Sequence, residues 1–91
     1  MANYPDPIEL TLPPGSTLFF NELYPDAFDE DLVQIELANG NILDLGWYHL
    51  GAECTHGIYI LREYSSGLTK VIAEKETKEL KFVLELIKNW R

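Results

Sequence analysis

Ile8, Leu10 and Leu12 alternate with Glu9 and Thr11, the two-residue period of a strand with one face in water. Pro13, Pro14 and Gly15 end that run, and Pro14-Gly15 suits the centre of a type II turn. A short apolar run from Thr17 to Phe20 predicts a second strand. From Asn21 to Asp31 the alternation stops. That stretch reads as a loop or a single helical turn, with Glu22, Asp26, Asp29, Glu30 and Asp31 bracketing Leu23, Tyr24 and Phe28. Residues 1–7, with Pro5 and Pro7 around Asp6, read as an extended tail.

The next two strands fix their own register. Val33, Ile35 and Leu37 share one face of the first, and Leu43, Leu45 and Trp47 one face of the second. A two-residue Asn39-Gly40 turn would set Ile35 opposite Asp44 and split the apolar rows. A three-residue loop, Ala38-Asn39-Gly40, sets Ile35 opposite Leu43 and Val33 opposite Leu45, and Gly40 supplies the left-handed third residue it needs. Downstream, Ile58 to Tyr64 and Leu68 to Glu74 predict two more strands joined by Ser65-Ser66-Gly67. Tyr64 then pairs with Leu68 and Ile60 with Ile72, while Leu61 and Val71 meet on the other face. This hairpin is therefore covered on both sides or exposes one apolar side. Gly46 interrupts its strand before Trp47 and Tyr48, which suggests a bulge or a close backbone contact. Trp47 continues the core row of Leu43 and Leu45, and Tyr48 shares the opposite face with Asp44.

The chain ends in a helix from about Thr77, a suitable N-cap, with Lys88 and Arg91 favourable at the C-terminal end of its dipole. At about 100° per residue, Leu80, Phe82, Val83, Leu84, Leu86, Ile87 and Trp90 sweep an arc of about 200°. A helix on one sheet needs an apolar stripe of roughly 100° or somewhat more. The excess has two readings. Either the helix sits in a curved groove with tail residues such as Tyr4 covering its outer edge, or Phe82 and Trp90 contact something else. The expected fold is α+β, an antiparallel sheet of five or six strands packed by one C-terminal helix, in one domain spanning residues 1–91.

Charge changes the picture more than composition does. All seven basic residues lie at or after Arg62, while the first 61 residues carry ten carboxylates and no Lys or Arg. The front two-thirds thus bears a formal charge of −10 and the remainder, with seven bases against five acids, +2, which together give the net −8. Such a field repels nucleic acid and anionic lipid and attracts basic protein surfaces. With 46% hydrophobic residues and eleven aromatics there is enough apolar material for one core. The single Cys54 cannot form an internal disulfide, which favours a reducing cytoplasm. The opening Met-Ala-Asn-Tyr-Pro-Asp lacks the basic and apolar regions of a signal peptide, and no apolar run approaches the ~20 residues of a membrane span. A cytoplasmic domain is expected.

His49, Glu53, Cys54 and His56 fall together between the two hairpins. Two imidazoles and a thiolate would make three-quarters of a tetrahedral zinc site, but the spacing fits no common finger or ribbon. The plainer reading is a polar connection whose Cys54 tucks inward. Cys54 as nucleophile with His56 as base and Asp44 as orienter lacks oxyanion donors, and its anionic surroundings raise a thiol pKa. The glycines stand singly, so there is no phosphate loop, and Asp26 to Asp31 lacks the alternating oxygens and central glycine of a calcium loop. Neither an enzyme nor a cofactor is expected. The acidic loop is the stronger candidate. Glu22, Asp26, Asp29, Glu30 and Asp31 form an anionic rim around Tyr24 and Phe28, the arrangement of aromatic anchors and steering charge that protein interfaces use. The bland alternative is a solvated loop that Leu23, Tyr24 and Phe28 pin to the core.

From Leu32 onward the chain resembles small bacterial immunity proteins of polymorphic toxin systems, through Asn39-Gly40, the Gly46-Trp47 step in a central strand, and the helix Leu80 to Trp90 ending in Trp. The second hairpin departs from that pattern in lacking a Trp. The resemblance implies a non-enzymatic inhibitor that binds a toxin's active face, and it carries no contact residue across. The functional expectation is a stoichiometric inhibitor of a basic partner, a toxin or a nucleic-acid enzyme. The other reading is a non-catalytic adaptor or homodimeric assembly subunit that uses Phe82 and Trp90.

Overall fold

Five strands among the described residues pair in sequence order, each antiparallel to the next: β1 (Thr17–Asn21), β2 (Val33–Glu36), β3 (Ile42–Leu50), β4 (His56–Tyr64) and β5 (Val71–Thr77). One helix, α1 (Leu80–Lys88), follows, so the fold is α+β as expected. The computed structural model describes residues 6–25, 28–50, 56–65 and 70–90, with the side chains of Leu50 and His56 excepted.

The β2–β3 hairpin follows its apolar rows. Ile35 lies opposite Leu43 and Val33 opposite Leu45, and the loop closes with the Gly40 N–H donating to the Leu37 carbonyl at 2.9 Å. Gly40 has φ +88°, the left-handed conformation that three-residue loops reserve for glycine. Pro13 to Ser16 form the expected type II turn, with Ser16 N–H donating to the Pro13 carbonyl at 3.2 Å and Gly15 at φ +79°.

Ile8 to Leu12 does not join the sheet. Its residues alternate half-buried and exposed as a strand's would, and Ile8, Leu10 and Leu12 pack against the core. Among its described bonds, however, Ile8 N–H donates to the Leu23 carbonyl and Asn21 Nδ2 donates to the Ile8 carbonyl. Those bonds tie the segment to the far end of β1, and with prolines at both ends, which have no N–H to give, no ladder forms.

The β4–β5 register also differs from the expected one. Leu61 faces Lys75 and Ile60 faces Glu76, instead of Val71 and Ile72. Tyr64 lies opposite Val71 rather than the expected Leu68, and Ser65 N–H donates to the Lys70 carbonyl; Ser66, Gly67 and Leu68 lie outside the described residues. The shift brings Ala73 opposite Glu63, the residue that accepts the Trp90 indole N–H. It also leaves Val71 and Ile72 about half exposed. Thr77 stays in the sheet opposite Tyr59, so α1 begins three residues later, at Leu80. Instead of capping the helix, the Thr77 hydroxyl accepts the Glu79 N–H.

One face of the sheet carries the core. Leu23, Leu32, Val33, Ile35, Leu43, Leu45 and Leu61 are essentially inaccessible and meet Val83, Ile87 and Trp90 of the helical segment. Burying each such side chain stabilises the fold by roughly 1.5–3 kcal/mol. Helix α1 lies over β4 and β5, and the Ile8–Leu12 segment packs on the same cluster. The wide apolar arc of α1 is thereby divided: Val83, Ile87 and Trp90 are buried, Leu80, Leu84 and Leu86 half-buried, and Phe82 is 47% exposed. Tyr4, expected at the groove edge, lies outside the described residues. No helix among the described residues is long and apolar enough to cross a membrane.

A carboxylate sits inside this core. Glu63 is 6% exposed and accepts hydrogen bonds from Trp90 Nε1 at 2.7 Å and Asn41 Nδ2 at 2.8 Å. On the opposite face Arg62 is held by Glu74, Nε to Oε1 at 2.7 Å, and its guanidinium lies 5.2 Å from the Tyr48 ring centre. The Glu74 hydrogen bond, aided by Tyr64, raises the Arg62 pKa above its ordinary value.

Candidate functional site

The acidic loop is anchored at both ends by apolar residues that flank its charges. Leu23 and Leu32 are wholly buried, and Glu22 N–H donates to the Leu32 carbonyl at 2.7 Å, closing the base. Asn21 Oδ1 accepts the Leu23 N–H at 2.9 Å, which turns the chain out of β1. Beyond that base the loop runs along the edge of β3 past the end of β2. Leu32 N–H donates to the Leu45 carbonyl at 2.9 Å and Trp47 N–H to the Asp29 carbonyl at 2.8 Å. Between those bonds stands Gly46. A Cβ there would meet the Glu30 carbonyl oxygen at under 3.0 Å, with the Glu30 carbonyl carbon and Tyr48 Cε2 at 3.0 Å. The close backbone contact expected at Gly46 is thus with the acidic loop itself.

This seating gathers Glu22, Tyr24, Asp29, Glu30 and Asp31 around one depression of about 420 Å³. The four carboxylates are exposed and Tyr24 is half-buried. Asp26 lies outside the described residues. The charge extends onto the sheet at Asp44, whose carboxyl is pushed above its ordinary value by burial and then by Asp31, against the pull of Arg62 and a hydrogen bond from Gln34.

Beside the depression is an aromatic ledge. Phe28, 53% exposed, lies 4.8 Å from the Trp47 ring centre, and His49 meets Trp47 edge-on at 4.7 Å. Trp47 packs against the core but is only partly buried, and it lies across Gly57, where a Cβ would fall under 3.0 Å from three indole atoms. The three anchors of the loop therefore divide: Leu23 pins it, Tyr24 lines the depression, and Phe28 faces outward on Trp47.

The other candidate residues are placed apart from this site. Phe82 is exposed on α1, whereas Trp90, expected as its interface companion, is 5% exposed with its indole N–H on Glu63. Its side chain belongs to the core, held there by the buried Glu63 and with Lys75 Nζ 5.3 Å from its ring centre. His49 is exposed near the end of β3 and His56 begins β4, while Cys54 and Glu53 lie outside the described residues. No group of His, Cys, Asp or Glu among the described residues is arranged to hold a metal ion. Sequence reasoning passed over Glu63 and Gly57. The first was legible from strand parity, since Glu63 stands two and four residues beyond Leu61 and Tyr59 on the core row. Chemically, the acidic site offers cationic groups several exposed carboxylates with an apolar shelf alongside. Set against protein-family models, curated proteins and solved structures, the chain finds no match in any of the three.

Proposed function

We propose that this chain is a small acidic protein-binding module that acts as a stoichiometric, immunity-type inhibitor of a basic partner protein in the cytoplasm. The observation that supports this reading best is the convergence of Glu22, Asp29, Glu30, Asp31 and Tyr24 on one open depression beside Phe28. No Lys or Arg precedes Arg62 to neutralise it. A cationic surface that docks there meets carboxylates for steering and an aromatic shelf for burial, the division of labour of protein interfaces. The seating on β3 holds the rim in place before binding, which limits the ordering entropy that association costs.

The test is capture from host lysate by the chain and by its Glu30→Lys/Asp31→Lys variant, with association rates then measured for the protein retained. The reading expects a basic protein bound in equimolar amount, with association that slows as salt rises and affinity lost in the variant at unchanged melting temperature. Equal affinity for the variant rules out this site. The exposure of Phe82 favours a second reading, an adaptor or homo-oligomeric subunit docking through α1. Light scattering distinguishes it, since it expects a dimer that Phe82→Ser dissolves.

A further inference from the structure

At the other end of β2 from the acidic loop lies a cavity of about 570 Å³, between the Pro13–Ser16 turn, the Leu37–Asn39 loop and the end of α1. Its walls are mainly apolar, from Pro13, Pro14, Leu37 and Trp90. Two polar groups on it lack their full complement of partners. Glu63 lines the cavity while 94% buried, and its two oxygens hold one described donor each, Trp90 Nε1 on Oε1 and Asn41 Nδ2 on Oε2. A carboxylate offers about four acceptor sites, so each oxygen has room for another donor. Both donors present are neutral, and the only salt bridge among the described residues joins Arg62 to Glu74. The second group is the Ser16 hydroxyl, the one buried side-chain polar atom among the described residues that has no hydrogen-bond partner.

A buried carboxylate with no ion-pair partner among the described residues, and a buried hydroxyl without a hydrogen-bond partner, both cost stability unless something binds them. We infer that this cavity is a binding site for a small organic monocation, a primary amine with an apolar body. Its ammonium donates to the free positions on Glu63, the Ser16 hydroxyl accepts from it, and its hydrocarbon lies against Pro13, Pro14 and Leu37. The volume lies in the range of small-molecule sites, which are mostly apolar with a few placed polar groups. Lys88 lines the same cavity and Lys75 Nζ lies 5.3 Å from the Trp90 ring centre; their charges oppose any ammonium, and a dication most, so monoamines bind in preference to diamines. The site is independent of the docking reading, because its residues are separate from the acidic loop.

The indole N–H of Trp90 reports on Glu63 directly. Titrating the full chain with benzylamine, and separately with benzyl alcohol, benzoate and a diamine, while following that resonance tests the inference. A saturable shift with benzylamine is expected, weaker with the diamine and absent with alcohol and benzoate. Glu63→Gln should weaken benzylamine binding roughly tenfold or more, the ratio a charge-assisted hydrogen bond supports. Ser16→Ala should weaken it less while leaving the melting temperature unchanged or higher. Where Glu63→Gln does not fold, Thr11→Phe at the exposed rim decides, and loss of binding there supports the site. No shift at millimolar amine, equal shifts with the alcohol, or undiminished binding in the variants overturns it.

Discussion

Replacing Gly46 with alanine inserts a methyl group where the acidic loop crosses β3. The obstructing atoms are the Glu30 carbonyl group, which belongs to the backbone and cannot rotate aside as a side chain could. Residues 29–31 must retreat toward the 3.4–4 Å of ordinary contact, and the bonds on either side, Trp47 N–H to Asp29 and Leu32 N–H to Leu45, stretch or break. Two such bonds contribute about 1 kcal/mol each, and the Phe28–Trp47 ring contact about another 1 kcal/mol. Against this loss, alanine recovers about 0.5–1 kcal/mol of the backbone entropy that glycine forfeits in a strand. The net expectation is a loss of about 2 kcal/mol, or roughly 8–16 °C in melting temperature for a domain of this size. Urea unfolding followed by tryptophan fluorescence measures it, with the native emission shifting because Trp47 loses its Phe28 neighbour. Gly40→Ala is the control, since a Cβ there meets nothing within 4 Å. It should cost about 1 kcal/mol through its positive φ alone, with native emission unchanged. If Gly46→Ala unfolds within about 0.5 kcal/mol of the parent, the acidic loop does not lean on β3.

Trp90→Phe removes a donor from a buried carboxylate and should cost about 2 kcal/mol, read as a lower urea midpoint at unchanged slope; a neutral result would mean that Glu63 is satisfied without the indole. Asp44 gives a pH signature. Its folded pKa is raised from 3.8, so the folded chain holds that proton more tightly than the unfolded one, and stability declines as pH rises from 3.8 through the raised value. Asp44→Asn should therefore be more stable than the parent at neutral pH, with the gain shrinking as pH falls through the raised value and gone below 3.8; a gain constant across that range would point to packing instead. Phe82→Ser should cost about 1 kcal/mol, since about half of the ring is covered, and a loss of about 3 kcal/mol or more in equilibrium unfolding would place Phe82 in the core.

The parts of the fold that declared themselves in the sequence are those where two independent constraints agree. In the β2–β3 hairpin the apolar rows and the Gly40 turn demand the same register. In β4–β5 the rows constrain little, because Ala73 and Lys75 are what β5 shows to the core face, and the glycine-third analogy pointed to a loop that is too short. Thr77 was a sound cap by local chemistry, but pairing with Tyr59 outweighs one capping bond. The acidic rim could be read from composition, since charge asymmetry survives ignorance of the fold. The seating of that rim depends on Glu30 meeting Gly46 sixteen positions along the chain, and the buried Glu63 depends on Trp90, twenty-seven positions on and beyond α1. Neither leaves a local signature beyond a glycine in a strand and a carboxylate on an apolar row.

The uncrossed meander has a consequence for the time course of folding. Each strand pairs with its sequence neighbours, so most of the sheet can zip from adjacent hairpins without closing long loops, which places the chain toward the faster side of sheet-containing domains. The nine-residue ladder of β3 on β4 is the natural nucleus. The acidic loop needs the edge of β3 to exist before it can be seated, so it is assembled late and released early. Damage there hastens unfolding with little effect on the rate of folding. The proposed docking surface is thus seated only once the sheet exists, and a partner that clamps it acts chiefly by slowing the chain's escape from its native state.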